Sequence, residues 1–235
     1  MSASEEVKYK NKVDKFSSHS IMIRKINEMA PLSQNILDLG CFTGELLNRV
    51  RINQDASNNY FGADLENCLR KDFNFIKLYL LDFNNTNLSN VFDKNKFDIV
   101  ILGDILEHLV NPWRALNSVE QITHESSKIL ISMPNSGHWY FRLKVLLGKI
   151  EYTNNGLFDK THLRFFTRKS SEELIKGSNF KVVSTNYSSI PWENIFKSGI
   201  VSKVLSIFER FLIFLRPQLF AYQFIFLVEP KELDK

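Results

Sequence analysis

The chain has 235 residues, of which 44% are hydrophobic and 24% are charged, so it can bury the core of one domain. Its 30 Lys and Arg residues and 26 Asp and Glu residues are interleaved, and the formal net charge of +4 includes no dense basic tract. Nucleic-acid binding is therefore not indicated. The two cysteines show no metal-type or disulfide spacing, and the polar N-terminus lacks a secretory signal, so we predict a cytoplasmic protein.

The first predicted element is a helix from residue 5 to about residue 30, where an apolar stripe runs through polar sequence and Pro31 ends it. We assign residues 1–34 to an N-terminal helical segment and residues 35–235 to a single domain. Short apolar strands and helices then alternate. The predicted strands cover residues 35–39, 60–63, 75–81, 97–102 and 128–132, and the predicted helices cover residues 45–52 and 112–123. This pattern is typical of an α/β fold whose mostly parallel sheet has helices on both faces.

The second half of the chain is predicted to add an irregular segment and an antiparallel edge. A helix over residues 138–148 precedes a polar stretch, residues 148–166, which we interpret as a substrate loop or lid. Thr167 or Ser170 can cap the next helix, with Glu173 completing a capping box for Ser170, and Gly177 ends it. Two late strands, FKVVSTNYS and LFAYQFIFLVE, flank an apolar helix over residues 198–216 and can pair antiparallel at one edge of a seven-stranded sheet.

Carboxylates lie at the carboxyl ends of four consecutive predicted strands. They are Asp38, Asp64, Asp82 and Asp104. In an open parallel sheet the ligand lies outside the carboxyl ends of the strands, so we expect these side chains to surround one site. A single acid at a strand end is often only a helix cap, and it is the ordered set that indicates a ligand.

The loop ILDLGCFTGE joins the first strand to a helix through Gly40 and Gly44. A dinucleotide loop places a glycine where the pyrophosphate approaches, but here Phe42 lies between the two glycines. The loop therefore favours a cofactor without a pyrophosphate and with a cationic amino-acid end. Asp64 follows Gly44 by 20 residues, the spacing at which an acid reaches ribose hydroxyls, and Asp82 with Phe83 could bind an adenine.

Four segments together resemble the successive motifs of class I S-adenosylmethionine-dependent methyltransferases. They are ILDLGCFTGELL, FGADLE, LLDFNN and FDIVILGDILEHLVNPWRAL. The segment from Pro134 to Val183 is similar to a narrower group, the small methyltransferases encoded beside glycosyltransferases in surface-polysaccharide clusters, which are related to ubiquinone O-methyltransferases and MetW-like proteins. The resemblance covers about four-fifths of the chain and implies a Rossmann-like fold.

The resemblance also implies S-adenosylmethionine as the cofactor and assigns residues to its parts. The implied contacts are Asp38, Gly40, Cys41 and Gly44 around the methionine moiety, Asp64 on the ribose, Asp82 and Phe83 on the adenine, and Gly103 and Asp104 beside the methyl group. Phe42 departs from the family's pattern, which most often has glycine there. We expect ordinary backbone dihedrals at Phe42 and a ring that points into the fold.

The DILEH segment carries the candidate catalytic groups. If it is helical, Asp104, Glu107 and His108 share one face. His108 could act as a general base that is oriented by Glu107. The three side chains could instead hold a divalent cation, which would lower the pKa of a hydroxyl. The third alternative is that Glu107 and His108 only brace the turn before the next helix.

Acceptor contacts are expected after the fifth strand and in the lid. His138 and Trp139 follow that strand, and His162 and Arg164 lie in the lid. Arg164 suits a phosphate or carboxylate of the acceptor, and the alternative is a salt bridge to Asp159 or to the acids of the sheet edge. His19 and His124 are predicted to be surface residues without a role, and they receive no assignment.

The apolar helix over residues 198–216 admits two interpretations. It can be part of the core or of a homodimer surface, or it can lie on a membrane surface and give access to a lipid-linked glycan or a quinone. Its apolar residues are interrupted by Lys203, Glu209 and Arg210, so a membrane span is not expected.

The predicted function is S-adenosylmethionine-dependent O-methylation of a sugar or glycolipid intermediate of surface polysaccharide synthesis. A quinone or another small molecule is the alternative acceptor. A second alternative is a noncatalytic S-adenosylmethionine-binding partner of a glycosyltransferase. A nicotinamide oxidoreductase is disfavoured by Phe42 and by the missing third glycine.

Overall fold

A computed structural model describes residues 15–29, 34–54, 57–92, 97–196 and 199–231. Its elements in chain order are α1 (Ser18–Met29), β1 (Asn35–Leu39), α2 (Glu45–Ile52), β2 (Asn59–Asp64), β3 (Ile76–Leu80), α3 (Leu88–Val91), β4 (Phe97–Gly103), a 3-10 turn (Leu106–His108), α4 (Pro112–Glu120), β5 (Thr123–Pro134), α5 (Trp139–Leu146), α6 (Arg168–Lys176), β6 (Phe180–Ser188), α7 (Trp192–Ile195), α8 (Gly199–Leu215), α9 (Pro217–Phe220) and β7 (Gln223–Pro230).

The strands form one seven-stranded sheet in the order β3-β2-β1-β4-β5-β7-β6. The first five strands of this order are parallel, and β7 runs antiparallel between β5 and β6. This arrangement confirms the predicted Rossmann-like fold with an antiparallel C-terminal edge. The carboxyl ends of β1, β2, β3 and β4 lie at one edge, as the spacing of the acids predicted.

Alternate residues of the central strands enter two hydrophobic cores on opposite faces of the sheet. In β4, Val100 and Leu102 belong to one core, while Ile99 and Ile101 belong to the other. Residues of α4 and α6 complete the first core, and residues of α1 and α2 complete the second. Because both faces are covered, the central strands are predominantly apolar rather than alternating regularly with polar residues.

Several details differ from the sequence expectations. Residues 1–14 and 30–33 lie outside the described residues, so the predicted N-terminal helix is seen only as α1. The capping box of α6 pairs Thr167 with Ser170, not Ser170 with Glu173. Thr167 occupies the cap position, and the hydroxyl of Ser170 accepts a hydrogen bond from the backbone amide of Thr167. His19 is buried rather than exposed, and half-buried His124 lies 3.2 Å from the carboxylate of Asp98.

Two further predictions concern boundaries and membrane spans. The apolar helix that was predicted over residues 198–216 is described from Gly199 to Leu215. Residue 198 lies outside the described residues. The division into a segment of residues 1–34 and a domain of residues 35–235 stays a prediction. Within the described ranges, no helix is long and apolar enough to cross a membrane.

Candidate functional site

The loop between β1 and α2 depends on two glycines with left-handed backbone. Gly40 has φ 82° and Gly44 has φ 77°. A Cβ atom on Gly40 would lie 2.9 Å from Cδ1 of Ile105, and one on Gly44 would lie 2.6 Å from Cδ1 of Leu69. Both positions therefore exclude a side chain by conformation and by packing. The loop passes close under the sheet edge and delivers the amino end of α2 to it.

Phe42 also has a positive φ, 43°, so the expectation of ordinary dihedrals there is wrong. The side chain of Asp64 stabilises this conformation. Its Oδ2 accepts a hydrogen bond of 2.7 Å from the amide of Phe42, and its Oδ1 accepts one of 2.7 Å from the amide of Leu65. A charged acceptor that binds two backbone amides offsets part of the cost of a left-handed phenylalanine.

The other acids of the edge are held in different ways. Asp38 is buried within β1. Oδ1 of Asp82 accepts from the amide of Asn84 at 2.9 Å, and its Oδ2 accepts from the side-chain amide of Asn85 at 2.7 Å, which forms a turn after β3. Phe83 packs against the first core. The acids thus lie at the predicted edge, and Asp64 and Asp82 also stabilise the local backbone.

Cys41 faces the sheet rather than the open edge. Its sulfur lies 2.7 Å from the position that a Cβ atom on Gly62 would occupy. Burial, and secondarily the charge of Asp38, raises the pKa of the Cys41 thiol. The thiol is therefore protonated and inert. Any contact of Cys41 with a ligand in the loop would come from its backbone.

Asp104 connects three strands at the edge of the sheet. Its backbone is left-handed, with φ 56°. Its Oδ1 accepts hydrogen bonds from the hydroxyl of Ser132 at 2.5 Å and from the side-chain amide of Gln223 at 2.8 Å. Since Ser132 lies in β5 and Gln223 begins β7, one carboxylate fixes the geometry of the sheet edge beside Gly103.

An open cleft of about 240 Å³ lies at this edge. Residues of the cofactor motifs, the turn after β4, the lid and the start of β7 line it together. The lining residues are Ser17, Ser18, Gly40, Gly103, Asp104, Glu107, His108, Pro134, Asn155, Gly156, Leu157, Asp159, His162, Ser189, Pro191, Tyr222 and Gln223. Asp64 and Asp82 lie outside this lining, further along the same edge.

The DILEH segment is not an α-helix, so its predicted common face is wrong. Only Leu106–His108 form a 3-10 turn, and Asp104 precedes it with left-handed backbone. The lid packs on this turn, because the carbonyl of Glu107 accepts hydrogen bonds from the amides of Leu163 at 2.8 Å and Arg164 at 3.0 Å. The turn and the lid therefore form one unit.

His108 is oriented by the lid. Its Nδ1 lies 3.1 Å from the carbonyl oxygen of Thr161. A carbonyl only accepts hydrogen bonds, so Nδ1 carries the proton and Nε2 of the neutral ring keeps a lone pair. The ring packs edge-on against His162, with 4.8 Å between the ring centres. Burial, followed by the proximity of His108, lowers the pKa of His162, which favours the neutral form of the His162 ring.

Glu107, His108 and His162 offer ligand atoms that all lie within 4.8 Å of one another. His162 therefore replaces Asp104 in the predicted metal set, because Asp104 is turned towards Ser132 and Gln223. One carboxylate and two imidazoles form a donor set that suits Zn²⁺ or a similar transition ion better than Mg²⁺, which prefers oxygen ligands.

The chain matches a known protein family. A family profile described as a methyltransferase domain matches residues 14–185, which is more than half of the chain. The chain belongs to this methyltransferase family. A search of curated protein sequences found no significant match.

Solved structures show the same fold at low sequence identity. A S-adenosylmethionine-dependent methyltransferase from Clostridium acetobutylicum aligns with a TM-score of 0.62 and 14% identity over 98% of each chain. The CurJ carbon methyltransferase aligns with a TM-score of 0.64 and 13% identity over 97% of this chain, which spans 58% of the CurJ chain. A Burkholderia thailandensis 1,6-didemethyltoxoflavin-N1-methyltransferase aligns with a TM-score of 0.59 and 10% identity, covering 98% of this chain and 87% of its own.

The family match confirms the class I methyltransferase prediction and its cofactor, S-adenosylmethionine. It also removes the nicotinamide oxidoreductase alternative. The residues present fit this cofactor, since the cleft lined by Gly40 and Gly103 offers space and the row of acids offers negative charge to its cationic amino-acid end. The narrower resemblance to the polysaccharide-cluster and ubiquinone groups stays a prediction.

The predicted acceptor contacts of the methyltransferase need two corrections. His138 is only 1% exposed and caps α5, with its Nδ1 accepting from the amide of Tyr140 at 3.3 Å, so its ring is not presented to the cleft. Burial lowers the pKa of His138 to about 4. Arg164 donates to the carbonyl of Val110 and lies over the ring of Trp113, so it ties the lid to the turn before α4 rather than pairing with Asp159. Trp139 is 40% exposed at the start of α5, outside the cleft lining, and His162 lines the cleft as predicted.

Tyr222 is a site residue that the sequence reasoning missed. Its hydroxyl lies 3.0 Å from the position of a Cβ atom on Gly156, so it contacts the lid at the wall of the cleft. Burial, and then the charge of Asp104, raises the pKa of Tyr222 to about 12, which keeps the phenol protonated. The signal was topological: a strand antiparallel to β5 must begin at the edge where β5 ends.

Proposed function

We propose that this methyltransferase transfers a methyl group from S-adenosylmethionine to a hydroxyl of a sugar or glycolipid intermediate of surface polysaccharide synthesis. The observation that carries the proposal is the position of His108. Its ring lines the same cleft as Gly40, Gly103 and Asp104, and its Nδ1 is held by the carbonyl of Thr161. A proton acceptor thus stands beside the loop that the family uses for the methyl donor.

The cofactor is expected to lie along the carboxyl edge of the sheet. Gly40, Gly44 and Asp104 would receive the methionine moiety, as the family resemblance implies. Asp64 would accept from the ribose diol through lone pairs that its two amide bonds leave available. Asp82 and Phe83 would contact the adenine. S-adenosylmethionine supplies a methyl group that its sulfonium already activates, so the protein's task is alignment and proton removal.

His108 would remove the proton of the acceptor hydroxyl. Because Nδ1 donates to Thr161, Nε2 is the nitrogen that can accept that proton, and the carbonyl of Thr161 would stabilise the resulting imidazolium. A positioned general base contributes about 10²–10⁴-fold to such a step. Alternatively, Glu107, His108 and His162 would hold a divalent ion that lowers the pKa of the acceptor hydroxyl.

The polar walls of the cleft support a hydroxylated acceptor over a quinone. The cleft lining includes Ser17, Ser18, Asn155, Ser189 and Gln223. Hydroxyl and amide groups can both donate and accept hydrogen bonds, which matches the several hydroxyls of a sugar. A quinone ring offers fewer hydrogen-bonding groups to such a lining than a sugar does.

The test combines binding and transfer. The full-length protein is titrated with S-adenosylmethionine and S-adenosylhomocysteine by calorimetry, and radiolabelled methyl transfer is then measured with nucleotide sugars, lipid-linked glycans and soluble quinones, with and without EDTA. We expect cofactor binding, and transfer to a sugar acceptor that EDTA does not change. Loss of transfer in EDTA would identify the metal route. Transfer to a quinone alone would reject the sugar assignment, and binding without transfer to any acceptor would favour the noncatalytic partner.

A further inference from the structure

We propose that the outward face of α8 is a docking surface for an anionic phospholipid bilayer. This helix turns most of its large apolar side chains away from the core, the reverse of the usual orientation. Ser202, Glu209 and Ile213 are buried against the protein, while Ile207 is 71% and Phe214 is 83% exposed. The large apolar residues of this exposed face are Ile200, Val201, Val204, Ile207, Phe208, Phe211, Phe214 and Leu215. A soluble helix normally turns such residues inward.

Specific polar contacts hold α8 in the reversed orientation. The carboxylate of Glu209 accepts hydrogen bonds from the amide of Ile190 at 3.1 Å and from the indole nitrogen of Trp192 at 2.7 Å. On the next residue, the guanidinium of Arg210 lies 3.9 Å from the ring centre of Phe16. Rotating the helix to bury its apolar face would leave the Glu209 carboxylate without these donors and would break the contact with Phe16. These polar contacts therefore favour the orientation in which the apolar face is exposed to solvent.

The charges of α8 favour a bilayer as the occupant. The exposed charged residues of the helix and its end are Lys203, Arg210 and Arg216, while its acid, Glu209, is buried. An apolar face flanked by cations is the composition of helices that lie in the interface of an anionic membrane. A second copy fits less well, because a two-fold interface would bring the same cations together and α8 offers no exposed acid to pair with them.

The docking surface is connected to the cleft. Glu209 holds Ile190 and Trp192, and the neighbouring Ser189 and Pro191 line the cleft. Arg210 contacts Phe16, which directly precedes the cleft residues Ser17 and Ser18. Docking through α8 would therefore place two walls of the cleft near the membrane surface. This second step rests on the proposed function, and it makes a lipid-linked glycan the favoured acceptor class.

The test measures vesicle binding without cofactor or acceptor, so it can fail independently of methyl transfer. The full-length protein is sedimented with vesicles of phosphatidylcholine alone or with 30% phosphatidylglycerol, at low and high salt. We compare the wild type with Phe211→Ser/Phe214→Ser, with Lys203→Glu/Arg216→Glu, and with the control Ile52→Ser/Val183→Ser, which removes exposed apolar residues elsewhere. S-adenosylmethionine binding checks that each variant is folded.

We expect the wild type and the control to bind anionic vesicles, and both α8 variants to bind at least about tenfold more weakly. High salt should weaken wild-type binding to vesicles that contain phosphatidylglycerol more than it weakens wild-type binding to vesicles of pure phosphatidylcholine. Absence of wild-type binding, or undiminished binding by the two α8 variants, would overturn the proposal. A dimer that forms in light scattering, disappears in Phe211→Ser/Phe214→Ser and binds no vesicles would also overturn it, by identifying a second copy as the occupant.

Discussion

Replacing Phe42 by glycine and by alanine isolates the backbone strain in the cofactor loop. Both variants remove the ring, and both keep the amide that donates to Asp64 at 2.7 Å. They differ only in the Cβ atom at a residue with φ 43°. Phe42→Ala keeps the left-handed cost of about 1–2 kcal/mol, which Phe42→Gly avoids. Glycine is also more flexible in the unfolded chain, which lowers the stability of Phe42→Gly by about 0.4–1 kcal/mol.

The balance predicts that Phe42→Gly is more stable than Phe42→Ala by about 1 kcal/mol. For a chain of 235 residues this corresponds to a melting temperature about 2–4 °C higher. Urea unfolding and thermal melting of the two variants, side by side, measure the difference. In an ordinary helix or strand alanine is the more stable residue, so the expected order is reversed. If Phe42→Ala equals or exceeds Phe42→Gly in stability, the left-handed loop is refuted.

Four further predictions address the site. Asp64→Ala removes the acceptor of two backbone amides and the proposed ribose ligand, so calorimetry should detect no S-adenosylmethionine binding; near-wild-type affinity would reject the ribose assignment. His108→Gln should keep cofactor affinity but lose about 10²–10⁴-fold in turnover, whereas the control His124→Gln should not, and unchanged turnover would leave His108 a structural role. Gly156→Ala should lower the free energy of unfolding by about 1–2 kcal/mol, because φ is 82° and the new Cβ meets the hydroxyl of Tyr222; an unchanged melting temperature would contradict this lid turn. Folding lowers the pKa of His138 from 6.5 to about 4. Between these pH values the unfolded chain binds a proton at His138 and the folded chain does not. The free energy of unfolding should therefore fall by about 3 kcal/mol as the pH drops from 6.5 to 4. His138→Asn keeps the cap without titrating and should lose less over that range in urea unfolding; an equal loss would show that other groups control it.

The sheet and its edge were predictable because they depend on local patterns. Each central strand is a short apolar run that ends at an acid or a glycine, so Asp64, Asp82 and Asp104 could be placed at one edge from the sequence. The reversed helix α8 was also located within one residue of its observed start and end. These elements needed no knowledge of distant contacts.

The cleft was predicted less well because distant contacts form it. His162 reaches His108 only because the amides of Leu163 and Arg164 bond to the carbonyl of Glu107, and no periodic pattern announces such bonds. The sequence around His138 is compatible with an acceptor-binding residue and with a helix cap. Its burial in the structure distinguishes the two roles. The φ of Phe42 is likewise set by Asp64, 22 residues away.

The predicted lid forms part of the cleft wall and also orients His108. Asp159 accepts from the amide of Thr161 at 2.9 Å and from its hydroxyl at 2.6 Å, and this turn presents the Thr161 carbonyl to His108. If the lid moved away, His108 would lose the partner that fixes its tautomer, and the cleft would lose the wall that includes Asn155 and Gly156. Under the proposed function, a base that is oriented only when the acceptor's wall is in place would link proton removal to acceptor binding.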